Sequence, residues 1–68
     1  MAKMTMRAAR VNAGLSQKAA AAEFGVSNKT LSKWENGQSY PKADQLQRMC
    51  IRYGVHYDDL IILPTNPL

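Results

Sequence analysis

Apolar residues recur every three or four positions through most of the chain, which is the spacing of one face of an α-helix. The first such stretch follows Thr5, whose hydroxyl can cap a helix that ends between Asn12 and Gly14. Periodicity predicts that its inner face consists of Met6, Ala9, Arg10 and Ala13. A later stretch predicts a longer helix from about Ala43 to Tyr53, with an inner face of Leu46, Met49, Cys50 and Tyr53.

The segment between these two helices, residues 16–37, predicts a helix, a tight turn and a second helix. Ser16 can cap the first of them, and Gly25 can end it by adopting a positive φ. Ser27 can then cap the second helix. The residues that would face the core are Ala20, Ala21 and Phe24 on the first helix, and Leu31 and Trp34 on the second.

The outward side of the second helix carries only polar and basic residues, namely Asn28, Lys29, Ser32, Lys33 and Asn36. A stripe of this kind is most often a solvated helix face. It also suits a hydrogen-bonding, anionic partner, because asparagine can bond adenine, and lysine can reach guanine or a phosphate. No acidic residue lies on this side to repel a phosphate. The stripe alone leaves both interpretations open.

Residues at fixed spacing within this segment carry a resemblance to a known family: Gln17, Ala21, Gly25, Leu31, Trp34, Glu35, Asn36 and Gly37. Together they resemble the helix-turn-helix of Cro/cI-type (XRE) DNA-binding domains, the family that includes the phage repressors and Cro proteins. The similarity covers roughly residues 4–61. It implies an all-α, compact five-helix, lambda-repressor-like DNA-binding domain whose helix-turn-helix is formed by helices 2 and 3.

The last part of the chain predicts a short fifth helix, with a core side of Val55, Tyr57, Leu60 and Ile61. We expect residues 1–4 to be a disordered N-terminus, since chain ends without tertiary contacts are poorly ordered. Residues 5–61 would form the domain, and residues 62–68 would be a C-terminal tail.

Three apolar residues near this end have no predicted place in the core. Ile62 and Leu63 follow the fifth helix, and Ile51 points away from the inner face of the fourth. Single exposed apolar residues are ordinary on protein surfaces. Several at one end of a small domain also fit a self-association patch, and both interpretations stay open.

Two charged residues fall on inward faces, Arg10 on helix 1 and Glu35 beside Leu31 on helix 3. Each could extend to water along its own aliphatic stem. We expect instead a partly buried Arg10–Glu35 ion pair that ties helix 1 to helix 3, because each charge then has a partner. The resembled phage repressors are known for a pair of this type. Its role would be structural, so neither residue is expected to read bases.

Composition narrows the class of partner. The chain has 68 residues and a net charge of +4, which fits one domain and suits a nucleic acid or another anionic surface. Its single cysteine, Cys50, cannot form an internal disulfide and is expected to be an inert packing residue. No apolar run approaches the roughly 20 residues of a membrane span. We see no acid–base constellation or metal-ligand spacing, and therefore expect no enzyme activity, catalytic residue, metal, cofactor or small-molecule substrate.

The resemblance implies roles for individual residues. The residues expected to read base edges in the major groove are Asn28, Lys29, Ser32 and Lys33. The residues expected to contact the DNA backbone are Gln17, Asn36, Gln38, Ser39 and Lys42. Gln17 could instead be no more than a polar residue that starts its helix.

We therefore expect a sequence-specific regulator of transcription, a phage- or prophage-type repressor or Cro-like protein, in the cytoplasm of a bacterial cell or phage-infected host. Its partner would be a double-stranded DNA operator and not a membrane. A homodimer is expected on that operator, because one copy reads only a few base pairs. A second hypothesis, from a different class, is an antitoxin-like or adaptor module that uses the same fold to bind a protein.

Overall fold

The computed structural model describes residues 3–62, and within them the chain forms helices joined by short turns and one small pair of strands. Its elements, in chain order, are strand β1 (Met4–Thr5), helices α1 (Met6–Asn12), α2 (Gln17–Phe24), α3 (Asn28–Asn36) and α4 (Ala43–Tyr53), a 3-10 helix (Tyr57–Asp59) and strand β2 (Leu60–Ile61). Helices α2 and α3 pack directly against each other and form the predicted helix-turn-helix.

The predicted capping residues begin α1, α2 and α3, and this part of the sequence analysis is confirmed. The hydroxyls of Thr5, Ser16 and Ser27 each accept a hydrogen bond from the backbone N–H three residues later, at 3.0–3.1 Å. Gly25 ends α2 with a φ of 69°, a left-handed conformation that glycine adopts without steric cost. The N–H of the next residue, Val26, then donates to the carbonyl of a residue in the last turn of α2 at 3.0 Å. The turn is therefore fixed by local hydrogen bonds.

The core lies where the inner faces of the helices meet. All the residues predicted to face inward on α2, α3 and α4 are buried, and so are Met6, Ala9 and Arg10 on α1. The side chain of Leu31 is fully buried and that of Trp34 is 4 % exposed, so both anchor α3 to the core. Ala21 is 2 % exposed, so its small side chain also lies in the core. This anchoring decides which side of α3 faces outward.

The prediction of a fifth helix after α4 is wrong. Residues 57–59 form a single 3-10 turn, and Leu60 and Ile61 then pair in parallel with Met4 and Thr5. Leu60 is buried as expected, but Tyr57 and Ile61 are 60 % and 39 % exposed. A two-residue parallel pairing is a contact between distant parts of the chain, which helical periodicity cannot indicate. Within the described residues the fold is mostly helical, with four α-helices and this strand pair.

Residues near both ends of the described segment contact the rest of the fold. Met4, placed in a disordered segment by the sequence analysis, pairs with Leu60 and is partly buried against the core. Ile62, for which no core was expected, also packs against it. Ile51 is 74 % exposed, as predicted. Met1, Ala2 and the tail residues 63–68, including Leu63, lie outside the described residues.

Tyr53 joins α4 to α2 inside the core. Its ring meets that of Phe24 edge to face, with 5.7 Å between ring centroids. Its hydroxyl is buried and has no hydrogen-bond partner among the described residues. Burial, and then the nearby carboxylate of Glu35, raise the pKa of Tyr53 to about 12. The folded state therefore favours the neutral phenol.

This raised pKa predicts a loss of stability in alkali. Below the ordinary tyrosine pKa of 10.0 the phenol is neutral in both the folded and unfolded states. Between pH 10 and pH 12 the Tyr53 phenol ionises in the unfolded chain but stays largely neutral in the folded protein. The free energy of unfolding should therefore fall by roughly 2 kcal/mol across that window. Urea unfolding at a series of pH values measures the loss.

Two phenylalanine variants isolate the contribution of Tyr53. Tyr53→Phe should be at least as stable as the wild type at neutral pH, because the hydroxyl it removes is buried without a partner. It should also lose less stability between pH 10 and pH 12. The matched control Tyr57→Phe, at an exposed tyrosine, should keep the wild-type pH dependence. An unchanged alkaline loss in Tyr53→Phe would contradict this assignment.

Candidate nucleic-acid interface

One side of α3 is exposed and polar. Asn28, Lys29, Lys33 and Asn36 are exposed and Ser32 is partly exposed; we call these five residues the polar face of α3. It lies opposite Leu31 and Trp34, which are buried. The structure therefore brings together, on one helix surface, the four residues predicted to read bases. Their role in reading bases stays a prediction.

Hydrogen bonds within α3 order parts of this surface. The amide Nδ2 of Asn36 donates to the hydroxyl of Ser32 at 3.3 Å, one helical turn away. At the start of the helix, the hydroxyl of Ser27 donates to that of Thr30 at 3.0 Å. The sequence analysis did not anticipate the bond between the Ser27 and Thr30 hydroxyls, although Thr30 lies three residues after the capping serine.

A buried ion pair fixes α3 to α1. The Arg10 Nε donates to Glu35 Oε2 at 2.7 Å, and Arg10 Nη2 donates to Glu35 Oε1 at 3.4 Å. The two side chains are 9 % and 4 % exposed. Arg10 Nη1 also donates to the backbone carbonyl of Leu15 at 2.9 Å. The guanidinium therefore holds three segments together: α1, the connection to α2, and α3.

Gln17 joins this network from the first turn of α2. Its side-chain Nε2 donates to Glu35 Oε1 at 3.3 Å. Glu35 lies in the last turn of α3, so this bond joins the start of α2 to the end of α3. Sequence reasoning did not anticipate the bond between Gln17 and Glu35.

The loop after α3 carries the remaining residues predicted to contact the DNA backbone. The backbone N–H groups of Gln38 and Ser39 donate to the carbonyl of Lys33, at 2.9 and 3.4 Å, which folds the loop back onto the end of the helix. Gln38 is exposed and Ser39 is partly exposed. Lys42 lies just before α4, and its backbone N–H donates to the side-chain oxygen of Gln45 at 2.9 Å. Its ammonium group remains on the surface.

The charges of this region are unbalanced towards positive. Between residues 16 and 42 the acidic residues are Glu23 and Glu35, and both are ion-paired, Glu23 with Arg52 at 2.6 Å and Glu35 with Arg10. The lysines of the same segment, Lys18, Lys29, Lys33 and Lys42, are exposed and have no acidic partner within 4.0 Å among the described residues. A surface of this kind attracts polyanions.

The described part of the chain offers little for metal binding, thiol chemistry or membrane insertion. Within residues 3–62, no three His, Cys, Asp or Glu side chains lie close enough to hold a metal ion. Burial raises the pKa of the Cys50 thiol, which favours the protonated and less reactive form. None of the helices described has the length and apolar character needed to cross a bilayer.

An open apolar groove lies along α4 and is lined in part by Leu46 and Cys50. Its volume is about 950 Å³, and its apolar walls include Tyr40, Pro41, Ile51, Val55 and Tyr57. Ile51, Tyr40 and Tyr57 are exposed. Ile51 thus belongs to a larger apolar surface than the sequence indicated.

The Helix-turn-helix family model HTH_3 matches residues 6–60, more than half of the chain. The matched range contains α1 to α4, and with them Arg10 and Glu35 and every residue predicted to contact DNA. No curated protein matches the chain at a significant level.

The buried ion pair predicts a large asymmetry between single and double substitutions. Arg10→Met should lower the free energy of unfolding by about 3–5 kcal/mol, because it leaves Glu35 as an uncompensated buried charge. Arg10→Met combined with Glu35→Met should recover most of this loss, since an apolar pair of similar volume needs no partner. Urea unfolding followed by circular dichroism measures both.

The exposed pair of Arg52 and Glu23 is the matched control. Both of its side chains are at least 40 % exposed, so water already solvates each charge. Arg52→Met should therefore cost much less than Arg10→Met. Equal losses in the two single variants would contradict the view that burial of the Arg10–Glu35 pair makes it critical.

Proposed function

This chain belongs to the Cro/cI-like (XRE) helix-turn-helix family, a family of DNA-binding domains, and we propose that it is a sequence-specific regulator of transcription that binds double-stranded DNA. The observation that carries the proposal is the polar face of α3, exposed and free of acidic residues on a helix anchored inward by Leu31 and Trp34. A helix of this form can enter the major groove of B-DNA.

In the proposed complex α3 lies in the major groove, with its N-terminal residues nearest the base edges. Asn28 is suited to adenine, because its amide N–H can donate to N7 while its carbonyl oxygen accepts from the N6 amino group, and Lys29 is suited to guanine O6 and N7. Ser32 and Lys33 lie one turn further along the same face and complete the proposed base-reading set.

The remaining contacts go to the sugar-phosphate backbone and set the register of α3 in the groove. We assign them to five residues: Gln17, Asn36, Gln38, Ser39 and Lys42. The proximity of Gln17 to the end of α3, through its bond to Glu35, supports this assignment. Lys42 adds a positive charge to a loop that is folded onto the same end of the helix.

The finer parts of the proposal concern assembly and biological setting. We propose a homodimer on the operator, because two-fold related recognition helices read two half-sites about one helical turn apart. Four further points remain predictions. They are a phage- or prophage-type repressor or Cro-like role, a lambda-repressor-like helix arrangement, the absence of enzyme activity, and a cytoplasmic location in a bacterial cell or phage-infected host.

An antitoxin-like or adaptor module is the second candidate, and the apolar groove beside α4 favours it. A groove lined by Tyr40, Ile51 and Tyr57 could dock a partner protein. The exposed lysines on α3 favour the first candidate, because a pure adaptor has no need for a cationic, acid-free helix face.

Selection of bound duplexes from a random-sequence pool, at a stated salt concentration, distinguishes the two candidates. The DNA-binding proposal expects enrichment of one motif, with two-fold symmetry and half-sites about one helical turn apart. A motif without symmetry would remove the homodimer and keep DNA reading. No enrichment at any salt concentration would overturn the proposal and favour the adaptor.

Base reading by α3 predicts altered preference in two variants. Asn28→Ala and Lys29→Ala should each weaken binding to the selected motif by about 1–3 kcal/mol and relax the preference at the base pair each residue contacts. Titration against the motif and its single-base variants measures both effects. If either variant weakened all sequences equally, its residue would contact the backbone and not the bases.

Backbone contact by Lys42 predicts a different signature. Lys42→Ala should weaken binding to every sequence alike and reduce the slope of log K against log salt concentration by about one unit. The matched control is Arg48→Ala, which should keep the wild-type slope because Arg48 lies away from the proposed backbone contacts. Arg48 donates to the carbonyl of Glu23, and Glu23 lies about 9 Å further along α2 than Gln17, towards the other end of that helix. An unchanged slope in Lys42→Ala would remove Lys42 from the backbone set.

A further inference from the structure

Glu35 has more hydrogen-bond partners than an ion pair requires. Its Oε2 accepts from Arg10 Nε at 2.7 Å, which is the short bond of the pair. Its Oε1 accepts from Arg10 Nη2 at 3.4 Å and from Gln17 Nε2 at 3.3 Å. One carboxylate oxygen is therefore shared between the guanidinium of α1 and the side-chain amide that begins α2.

This bond restricts the orientation of the Gln17 amide. A glutamine amide has two N–H donors on one side and a carbonyl oxygen on the other. When one N–H is directed at Glu35, the amide samples fewer orientations, and the second N–H turns less freely. Gln17 is only partly buried, so solvent, or a ligand in its place, can reach that side chain.

We propose, on the basis of the proposed function, that Glu35 is a positioning residue that holds the Gln17 side-chain amide ready to donate its second N–H to a DNA phosphate. Without Glu35, the side chain would have to give up rotamer freedom when it binds, and that cost lowers affinity. The hydrogen bonds among Arg10, Glu35 and Gln17 would thus connect the packing of the helix-turn-helix to its contact with the DNA backbone.

The charges permit this arrangement. A lone carboxylate beside a phosphate would repel it, but the Arg10 guanidinium pairs with Glu35 and neutralises it. Glu35 can therefore serve as an acceptor near the DNA without adding net negative charge there. Gln17 itself is neutral, so its contact would act through hydrogen-bond direction and not through charge.

Two double variants, in which both charges of the ion pair are removed, separate positioning of Gln17 by Glu35 from the structural role of Glu35. We call them the two backgrounds. Arg10→Met with Glu35→Gln removes both charges but keeps a carbonyl acceptor for Gln17. Arg10→Met with Glu35→Met removes the acceptor as well, with a side chain of similar length. The probe is the duplex recovered by selection, prepared with one phosphate at a time replaced by an uncharged methylphosphonate, a much poorer acceptor.

The wild type should show one phosphate in each half-site whose replacement weakens binding by about tenfold through the loss of the Gln17 contact. Gln17→Ala should lose most of this sensitivity. The background that keeps the acceptor should retain it, and the background without the acceptor should lose at least half of it on a logarithmic scale. Preference among bases should be alike in both backgrounds, because α3 presents the same face.

Equal sensitivity in the two backgrounds would overturn the inference, and so would a Gln17→Ala variant with wild-type sensitivity at every phosphate. Neither result would affect base reading by α3, so the proposed function would stand. Absence of any selected duplex would overturn both. Gln47→Ala, at an exposed glutamine on α4, is the control for loss of a side-chain amide.

A measurement on the wild-type protein keeps the inference falsifiable even if a double variant fails to fold. NMR relaxation of the side-chain amide groups should show Gln17 restricted on the ps–ns timescale in the absence of DNA, and Gln47 mobile. A Gln17 amide as mobile as that of Gln47 would overturn the inference without any substitution.

Discussion

One buried ion pair ties the recognition helix to the rest of the fold. Leu31 and Trp34 bury the inner side of α3 and decide which side faces outward. The short bond between Arg10 and Glu35 then joins α3 to α1, and neither charge can lose its partner without leaving the other buried and unpaired. Arg10 also donates to the carbonyl of Leu15, and this bond ties the connection before α2 to the same ion pair.

The same pair shapes the electrostatics of the surface. The acids of residues 16–42 are both held by arginines from elsewhere in the chain, one buried and one exposed. The hydrogen bond to Glu23 raises the pKa of Arg52, which stays charged, and its positive charge offsets the negative charge of Glu23. Among the described residues, the lysines of α3 and its following loop have no acidic partner within 4.0 Å, so positive charge accompanies the exposed polar side chains of α3.

Features set by neighbouring residues were predictable from the sequence, and so was the distant Arg10–Glu35 pair, because two charges on inward faces each need a partner. Two other distant contacts were not predictable. The serine caps, Gly25 and the inner faces of the helices follow from local chemistry and periodicity. The pairing of Met4 with Leu60 involves two residues on each strand, too few to give an alternating pattern. The bond from Gln17 to Glu35 joins two polar side chains whose separate positions were predictable, but their contact depends on how α2 packs on α3.

An ion pair is an unexpected choice for a position that an apolar pair could fill at similar or greater stability. Stability alone therefore does not explain why Arg10 and Glu35 occupy it. An apolar pair would leave the Gln17 amide without an acceptor, and a carboxylate without Arg10 would repel a phosphate nearby. The ion pair satisfies both conditions at once, because it offers an oxygen to Gln17 while it contributes no net charge. We infer that the chemistry of this buried site is set by what the surface beside it must do.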